Sequence, residues 1–273
     1  MTTALMTRPR TVSPEQLEQF HREGYLVVRG MFSLEEAREL RETFMEIHAR
    51  APIGSFYQHA SEEEAGGDPL KLYPRVMHPH RFDDLSMRRM LDPQIAAVLR
   101  DLFGEEPLAA QSMFYFKPPG AKGQALHQDN FYLRVNPGTC IAAWVAVDPA
   151  VRENGGLVVV PGSNRGEVFC PERADNSVSF TTEHVKPPAG LSEMPLDLQP
   201  GDTLFFNGSL IHGSSPNSSP DQFRRSFICH YVPTSAKEMS HWYFPLHDMD
   251  GNRVEREATT DGGPCGSEAK GPH

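Results

Sequence analysis

The sequence predicts a mainly β protein, a sandwich or a barrel, with helices packed outside the β core. Short β-branched and aromatic runs bounded by Pro, Gly or Asn turns recur between about residues 106 and 235. No helical pattern separates these runs, which argues against a parallel α/β sheet. Helical patterns are confined to the stretch before them. We therefore expect one domain over 1–273, made of a helical part (1–105), the β core (106–235), a closing segment (236–255) and a disordered tail (256–273).

Two helices in the N-terminal part carry their own start signals. "SPEQLEQFHREG" has Ser13 as its N-cap, a capping box with Gln16, and Gly24 as its stop. "SLEEARELRETFMEIHAR" begins with a second capping box, formed by Ser33 and Glu36, and its apolar residues recur at helical spacing. Between the two, "YLVVRG" predicts a short strand.

The remaining segments outside the β runs are read as one further helix and two loops. "SMRRMLDPQIAAVLRDLFG" predicts a single helix that ends at Gly104. Residues 51–85 are rich in Gly, Pro and Glu and are expected to form a loop. The polar insertion at about 164–197 is long for a structureless loop, which indicates a functional role at the mouth of the core.

Composition excludes several classes of function. The net charge of −10 argues against binding to a phosphate backbone, which needs an excess of Lys and Arg. No apolar run approaches 18 residues and no secretion signal is visible, so we expect neither a membrane segment nor export. Cys140, Cys170, Cys229 and Cys265 are widely separated without a CxxC pair, which predicts reduced thiols and a cytoplasmic protein.

The stretch "ALHQDNFYLRV" places His127 and Asp129 two residues apart in an otherwise apolar, β-prone run. In a strand, such positions share one face, so both side chains can address one point. An HxD pair alone is a weak signal. His212, in "LIHGSS", follows the strand-like run "DTLFF" and offers a third ligand. Two imidazoles and one carboxylate that leave open coordination positions are typical of non-haem Fe(II) sites.

An arginine follows His212 at the start of the next predicted strand, in "FRRSF". The planar guanidinium of Arg224 can bind a carboxylate through two hydrogen bonds. Arg225 is the alternative if the register is shifted by one residue.

In this order, these motifs resemble the phytanoyl-CoA hydroxylase (phytanoyl-CoA dioxygenase) family of Fe(II)/2-oxoglutarate dioxygenases. The resemblance runs from "FHREGYLVVRGMFSLEEA" to about residue 235 and includes "FKPPG", "HQD", "AAW", "ENGGLVVVPGS" and "GDTLFFNGSLIHGS". It implies a double-stranded β-helix, a jelly roll related to cupins. It also implies an enzyme that uses Fe(II), 2-oxoglutarate and O2 to hydroxylate a small organic molecule, with succinate and CO2 as co-products.

The resemblance assigns roles to individual residues. His127, Asp129 and His212 match the iron ligands, and Arg224 matches the residue that pairs with the distal carboxylate of 2-oxoglutarate. An Asp at 129 favours hydroxylation over halogenation, although desaturation or ring formation would use the same site. The remaining matches are to the cosubstrate pocket: Ser214, Gln128, Trp144 and Lys117.

Substrate contacts and the alternatives are less sharply defined by sequence. His78 and His80 in the 51–85 loop, Arg134 and Trp242 are candidate substrate residues, whereas His230 is read as an ordinary sheet residue. A cupin-like metal enzyme that does not use 2-oxoglutarate is one alternative, and Arg224 with Ser214 argues against it. A non-catalytic jelly-roll binding module is the other. The sequence predicts neither the substrate nor the oligomeric state.

Overall fold

The structure is a computed structural model that describes residues 11–259 and 265–266. Seven α-helices are present in these residues: α1 (Pro14–Glu23), α2 (Leu34–Ala49), α3 (Glu62–Ala65), α4 (Pro69–Leu72), α5 (Asp84–Met90), α6 (Pro93–Phe103) and α7 (Asn130–Leu133). Single turns of 3-10 helix occur at Pro79–Arg81, Ser163–Arg165 and His241–Tyr243.

The strands of the described residues fall into two larger sheets and two small pairs. They are β1 (Tyr25–Val28), β2 (Val76–Met77), β3 (Pro107–Tyr115), β4 (Gln124–His127), β5 (Ile141–Ala146), β6 (Leu157–Val159), β7 (Glu172–Arg173), β8 (Glu183–His184), β9 (Met194–Pro195), β10 (Thr203–Asn207), β11 (His212–Ser214), β12 (Ser226–Pro233), β13 (Glu238–Met239), β14 (Leu246–His247), β15 (Arg253–Val254) and β16 (Glu257–Ala258).

The two larger sheets form the jelly-roll core. The major sheet has eight strands in the order β1-β10-β5-β12-β3-β14-β15, with β2 also paired to β3. The minor sheet has the order β4-β11-β6-β9. All pairs in both sheets are antiparallel, as expected when short strands follow one another without crossover helices.

The N-terminal helices cover the outer face of the major sheet. The capping boxes of Ser13 with Gln16 and of Ser33 with Glu36 are both formed. The buried face of α2 includes Phe44, whose ring stacks on Phe114 of β3 with centroids 3.9 Å apart. This packing fixes the outer side of β3, so that its other face is available to line the space between the sheets.

The helix predicted across "SMRRMLDPQIAAVLRDLFG" is two helices, α5 and α6. The break falls at Pro93, which lacks an N–H and occupies the first turn of α6, while an Asp92 carboxylate oxygen accepts from the Gln94 N–H at 2.9 Å. The 51–85 segment is also more ordered than predicted, because it contains α3, α4 and β2.

The insertion at 164–197 is likewise folded and contains β7, β8 and β9. The Phe180 N–H donates to the Gly123 carbonyl at 3.0 Å, and the Val185 N–H donates to the Leu126 carbonyl at 2.7 Å. These bonds attach the insertion to β4 and make it a wall of the core.

Two expectations about the cysteines and the C-terminus are wrong. Cys170 and Cys265 form a disulfide, and Cys140 and Cys229 are free and buried. The prediction of reduced thiols is therefore wrong for Cys170 and Cys265, and this pair does not support the inference of a cytoplasmic location. Within the predicted tail, β16 pairs with β13; residues 260–264 and 267–273 lie outside the described residues. None of the helices described is long and apolar enough to cross a membrane.

Candidate metal and cosubstrate site

A narrow cavity lies between the two sheets. Its apolar walls come mainly from the major sheet, and its polar side chains come from both sheets. The lining residues are Met113, Tyr115, Gln124, His127, Asp129, Trp144, Leu157, Phe206, His212, Gly213, Ser214, Arg224, Ile228 and His230.

The predicted metal ligands meet at one side of this cavity. His127 ends β4 and His212 begins β11, and the two residues are paired in the minor sheet. An Asp129 oxygen, Oδ1, lies 3.5 Å from His127 Nε2 and 3.6 Å from His212 Nε2. The ligand atoms of the three buried residues all lie within 4.8 Å of one another, so the group could hold a metal ion.

The strand predicted to carry both members of the HxD pair ends after the first one. Asp129 has helical backbone angles, φ −61° and ψ −35°, and precedes the short helix α7. The turn, and not the alternation of a strand, brings the carboxylate beside His127. The "NFYL" residues that follow are helical, so the predicted continuation of the strand is wrong.

Backbone carbonyls fix the orientation of both imidazoles. His127 Nδ1 lies 2.7 Å from the Ala125 carbonyl, and His212 Nδ1 lies 3.1 Å from the Leu210 carbonyl. A carbonyl can only accept, so each Nδ1 carries the proton and each Nε2 keeps its lone pair. Both lone pairs are then available to a cation beside Asp129.

The protonation states also suit a divalent cation. Burial raises the pKa of Asp129, but the opposing effects of the neighbouring His212 and His230 hold that pKa well below its usual value. Burial lowers the pKa of His212 to about 4 despite the nearby Asp129. A carboxylate at Asp129 and a neutral imidazole at His212 are forms that ligate a metal without first losing a proton.

His230 is a member of the site that the sequence reading missed. Its Nε2 lies 2.9 Å from Asp129 Oδ2, the oxygen opposite the one that faces His127 and His212. The signal was present in β12, because His230 is two residues after Ile228 and alternate residues of a strand share a face.

Two buried cations lie near Ser214: Arg224 lines this cavity, whereas Lys117 lines an adjoining chamber and not the cavity itself. Lys117 Nζ donates to Ser214 Oγ at 2.8 Å. Arg224 donates to Ser226 Oγ at 2.8 Å and to the Gly155 carbonyl at 3.0 Å. Among the described residues, no carboxylate forms a salt bridge with Lys117 or Arg224. We call Lys117, Ser214 and Arg224 the cosubstrate end, after the role that the family resemblance predicts for them.

Burial acts strongly on both cations. Burial, with the neighbouring Arg224, lowers the pKa of Lys117 well below its usual value. Burial also lowers the pKa of Arg224, to about 10, which leaves it charged at neutral pH. Burying unpaired positive charge is costly, and an anion bound between these two groups would offset that cost.

The backbone of Lys117 is held in a conformation that a lysine seldom adopts, with φ +40°. Its carbonyl accepts from the Arg224 N–H at 3.1 Å and from Asn217 Nδ2 at 3.0 Å. These bonds tie the two cations to each other through the main chain. Strain maintained in this way is typical of functional sites.

The neighbouring arginine faces elsewhere. Arg225 Nη1 lies 2.8 and 3.0 Å from the two carboxylate oxygens of Asp148. Trp144 lies inside the cavity, where the guanidinium carbon of Arg224 is 5.3 Å from its ring centroid. The register with Arg224 inside the core is therefore the one that the fold adopts.

Gln128 does not line the cavity as predicted. Its amide nitrogen donates to the Ser209 carbonyl at 2.7 Å and to the Glu167 carbonyl at 3.2 Å, and its oxygen accepts from the Phe169 N–H at 2.8 Å. It faces away from the cavity because residues on either side of it, His127 and Asp129, face inward. Its contacts fasten the insertion to the metal-binding turn.

The four candidate substrate residues are absent from the lining of this cavity. His78 and His80 are buried in the segment after β2, and His80 Nδ1 lies 2.7 Å from Ser112 Oγ. Arg134 ends α7 in a left-handed conformation, and Trp242 is 42% exposed. The structure therefore brings the predicted metal ligands together, but none of these four residues lines their cavity.

Comparison with known proteins agrees with this arrangement. Residues 20–226 match the family model "Phytanoyl-CoA dioxygenase (PhyH)". Phytanoyl-CoA dioxygenase 1 of Oryza sativa subsp. japonica is 29% identical over 261 residues, which cover 84% of this chain and 92% of that relative. Phytanoyl-CoA dioxygenase of Arabidopsis thaliana is 28% identical over 255 residues, covering 81% and 89%.

Solved structures show the same fold at lower identity. EctD from S. alaskensis in its apo form has a TM-score of 0.70 at 20% identity and covers 93% of this chain and 90% of its own. The carbocyclase SnoK from nogalamycin biosynthesis has a TM-score of 0.65 at 21% identity, covering 83% and 86%. These similarities confirm the predicted jelly-roll core.

Fold, site and relatives together define a non-haem Fe(II)- and 2-oxoglutarate-dependent dioxygenase. The chain belongs to the phytanoyl-CoA dioxygenase family.

Proposed function

We propose that the protein hydroxylates an unactivated C–H bond of a small organic molecule. In this proposal His127, Asp129 and His212 hold the iron, and Arg224, Lys117 and Ser214 hold the distal carboxylate of 2-oxoglutarate. The observation that carries it is a pair of buried cations without a carboxylate partner: Arg224 lines the cavity that holds the His-Asp-His group, and Lys117 donates to Ser214 in the wall of that cavity.

The chain's contribution is positioning and exclusion of water. With iron and 2-oxoglutarate bound, O2 and 2-oxoglutarate supply the oxidising chemistry and yield succinate and CO2. Three protein ligands, His127, Asp129 and His212, would leave coordination positions on a bound metal for the cosubstrate and O2. Side chains such as Leu157, Phe206 and Ile228 line the cavity with apolar surface, which limits access of water.

Other outcomes at the same centre are distinguished by their products. Among the similar structures, SnoN is described as an α-ketoglutarate-dependent epimerase and SnoK as a carbocyclase. Asp129 supplies the third protein ligand and favours hydroxylation over halogenation. Hydroxylation incorporates an oxygen atom from O2 into the product, whereas epimerisation, desaturation and ring closure do not.

The test is turnover of 2-oxoglutarate with a panel of amino acids, osmolytes, acyl-CoA thioesters and secondary metabolites under isotopically labelled O2. We expect one class to raise succinate formation and to gain one labelled oxygen. Substrate oxidation without consumption of 2-oxoglutarate would favour the cupin-like alternative. Ligand binding without turnover of the iron-loaded protein would favour a binding module.

A further inference from the structure

A second arginine without a carboxylate partner faces the interior of the core. Val76 and Met77 of β2 pair with Phe114 and Met113 of β3. Continuing this register places Arg75 opposite Tyr115, and alternate residues of a strand share a face. Met113 and Tyr115 line the metal cavity, so Arg75 lies on the same inner face.

The guanidinium of Arg75 is held by an aromatic ring and not by an acid. Its Nη1 donates to the phenol oxygen of Tyr115 at 3.1 Å, and its central carbon lies 6.0 Å from the centroid of that ring. Arg89 and Arg225, two other partly buried arginines, pair with carboxylates at 2.7 and 2.8 Å. Within residues 11–259, Arg75 forms no salt bridge, which leaves most of its five N–H donors for a ligand.

Arg75 lines a side chamber of about 190 Å³ that adjoins the metal cavity. The two spaces share Tyr115, Ser214 and Arg224 in their walls, and Lys117 lines the chamber but not the metal cavity. Tyr73 and Phe180 are among the chamber's aromatic and apolar walls. A ligand that fills this chamber therefore meets a cation, aromatic rings and one edge of the reaction centre.

The negative charges of the cosubstrate are already matched by groups other than Arg75. In the proposed function, the distal carboxylate of 2-oxoglutarate brings one negative charge to Arg224 and Lys117. Its other carboxylate is used at the metal. Arg75 is then left as a third cation beside the cavity without a counter-charge, and a guanidinium matches a carboxylate through two parallel hydrogen bonds.

We infer that Arg75 binds a carboxylate of the primary substrate, and that the substrate is an organic acid whose aromatic or apolar body fills the side chamber. This inference rests on the proposed function and names its substrate class. It takes the place of Arg134, a candidate substrate residue from the sequence that lies outside the cavity lining.

The test uses para-fluorobenzoate as the probe and para-fluorobenzamide as its neutral counterpart. The protein is loaded with Zn(II) in place of Fe(II), to prevent turnover, and saturated with 2-oxoglutarate. Fluorine NMR then gives the affinity for each probe. We expect the acid to bind and the amide to bind at least about tenfold more weakly, because only the acid forms a charge-assisted pair.

Variants of two cations in the chamber wall complete the experiment. Arg75→Met should weaken binding of fluorobenzoate about tenfold or more, and Arg75→Lys should retain part of it. Lys122→Met is the matched control, because Lys122 is exposed and its Nζ already donates to the Asn176 carbonyl. If Arg75→Met does not fold, Arg75→Gln is used in its place.

The outcomes separate this inference from the proposed function. Fluorobenzoate that does not bind in the millimolar range, or that binds Arg75→Met as well as the native protein, overturns the role of Arg75. A variant that loses 2-oxoglutarate as severely as Arg224→Ala assigns Arg75 to the cosubstrate and also overturns it. Failure of the native protein to bind 2-oxoglutarate would instead contradict the proposed function.

Discussion

The cosubstrate end and residues 75–81, which we call the mouth, both contain an arginine without a carboxylate partner, but they are built differently. At the cosubstrate end, Arg224 is buried and its backbone N–H donates to the Lys117 carbonyl. At the mouth, Arg75 is half-buried and directly precedes the two-residue strand β2, which is followed by one turn of 3-10 helix.

This difference indicates a division of labour. In the proposed function, the side chains that hold iron and 2-oxoglutarate lie on strands and on turns fixed by main-chain hydrogen bonds. Arg75, which we infer to bind the substrate, lies next to a segment with few ladder bonds, where sequence can change at small cost to the core. Substitutions at the rigid end should therefore act on every substrate alike, and those at the mouth should act selectively.

The largest effect is expected at the metal ligands. His127→Ala, Asp129→Ala or His212→Ala should reduce both iron content and succinate formation to background, because each removes one of three protein ligands. Iron per chain and 2-oxoglutarate turnover are the measurements. His21→Ala, on the exposed side of α1, is the control. Full activity of His212→Ala would refute the assignment.

The next effect concerns two adjacent arginines. Arg224→Ala should weaken 2-oxoglutarate binding by about 2–5 kcal/mol, or roughly 30- to several thousand-fold, since a buried charge pair is lost. Arg225→Ala is the matched control, because that guanidinium pairs with Asp148. Anaerobic titration of the iron-loaded protein gives both affinities. The opposite ranking would show that Arg225 serves the cosubstrate.

Sequence reading succeeded where local chemistry decides the structure. The capping boxes at Ser13 and Ser33 need only residues three positions apart, and runs of β-branched and aromatic residues bounded by turn residues identified the long strands of the core. The order of the motifs identified the family. His127, Asp129 and His212 could be selected before any contact was known, since the family resemblance assigned them.

Long-range contacts account for what sequence reading missed. The disulfide joins Cys170 to Cys265, 95 residues away, and neither position carries a local signal of pairing. Gln128 faces away from the predicted direction because its partners are the Ser209 carbonyl and backbone atoms of the insertion. Arg75 was overlooked because only its pairing beside β3 turns it toward the cavity.

A smaller effect on iron binding is expected at His230, which lies beside Asp129. His230→Leu removes the partner of Asp129 Oδ2 and should weaken iron binding about 10- to 100-fold, the range typical of groups that orient a ligand. His230→Gln can keep a donor near that oxygen and should recover part of the loss. Iron affinity by competition with a chelator is the measurement. Equal affinities for native protein and His230→Leu would mean that His230 serves only packing.

The smallest effect is expected at the mouth and concerns stability alone. Burial lowers the pKa of His78 to about 3, from an ordinary value near 6.5. Between these values the unfolded chain binds a proton at His78 that the folded chain does not, so the free energy of unfolding falls as pH decreases. One such group contributes up to about 1.4 kcal/mol per pH unit in that window.

His78→Asn isolates this contribution. His78 has φ +52°, a left-handed conformation that Asn tolerates better than most residues, and its Nδ1 has no hydrogen-bond partner among the described residues. Denaturant unfolding of the metal-free native and variant proteins from pH 7.5 to 4 should give a shallower decline for the variant. At pH 7.5 His78 is neutral in the folded protein and largely so in the unfolded chain. The difference between the two proteins at that pH therefore gives the effect of the substitution apart from protonation. Parallel declines would show that the folded protein does not hold His78 neutral.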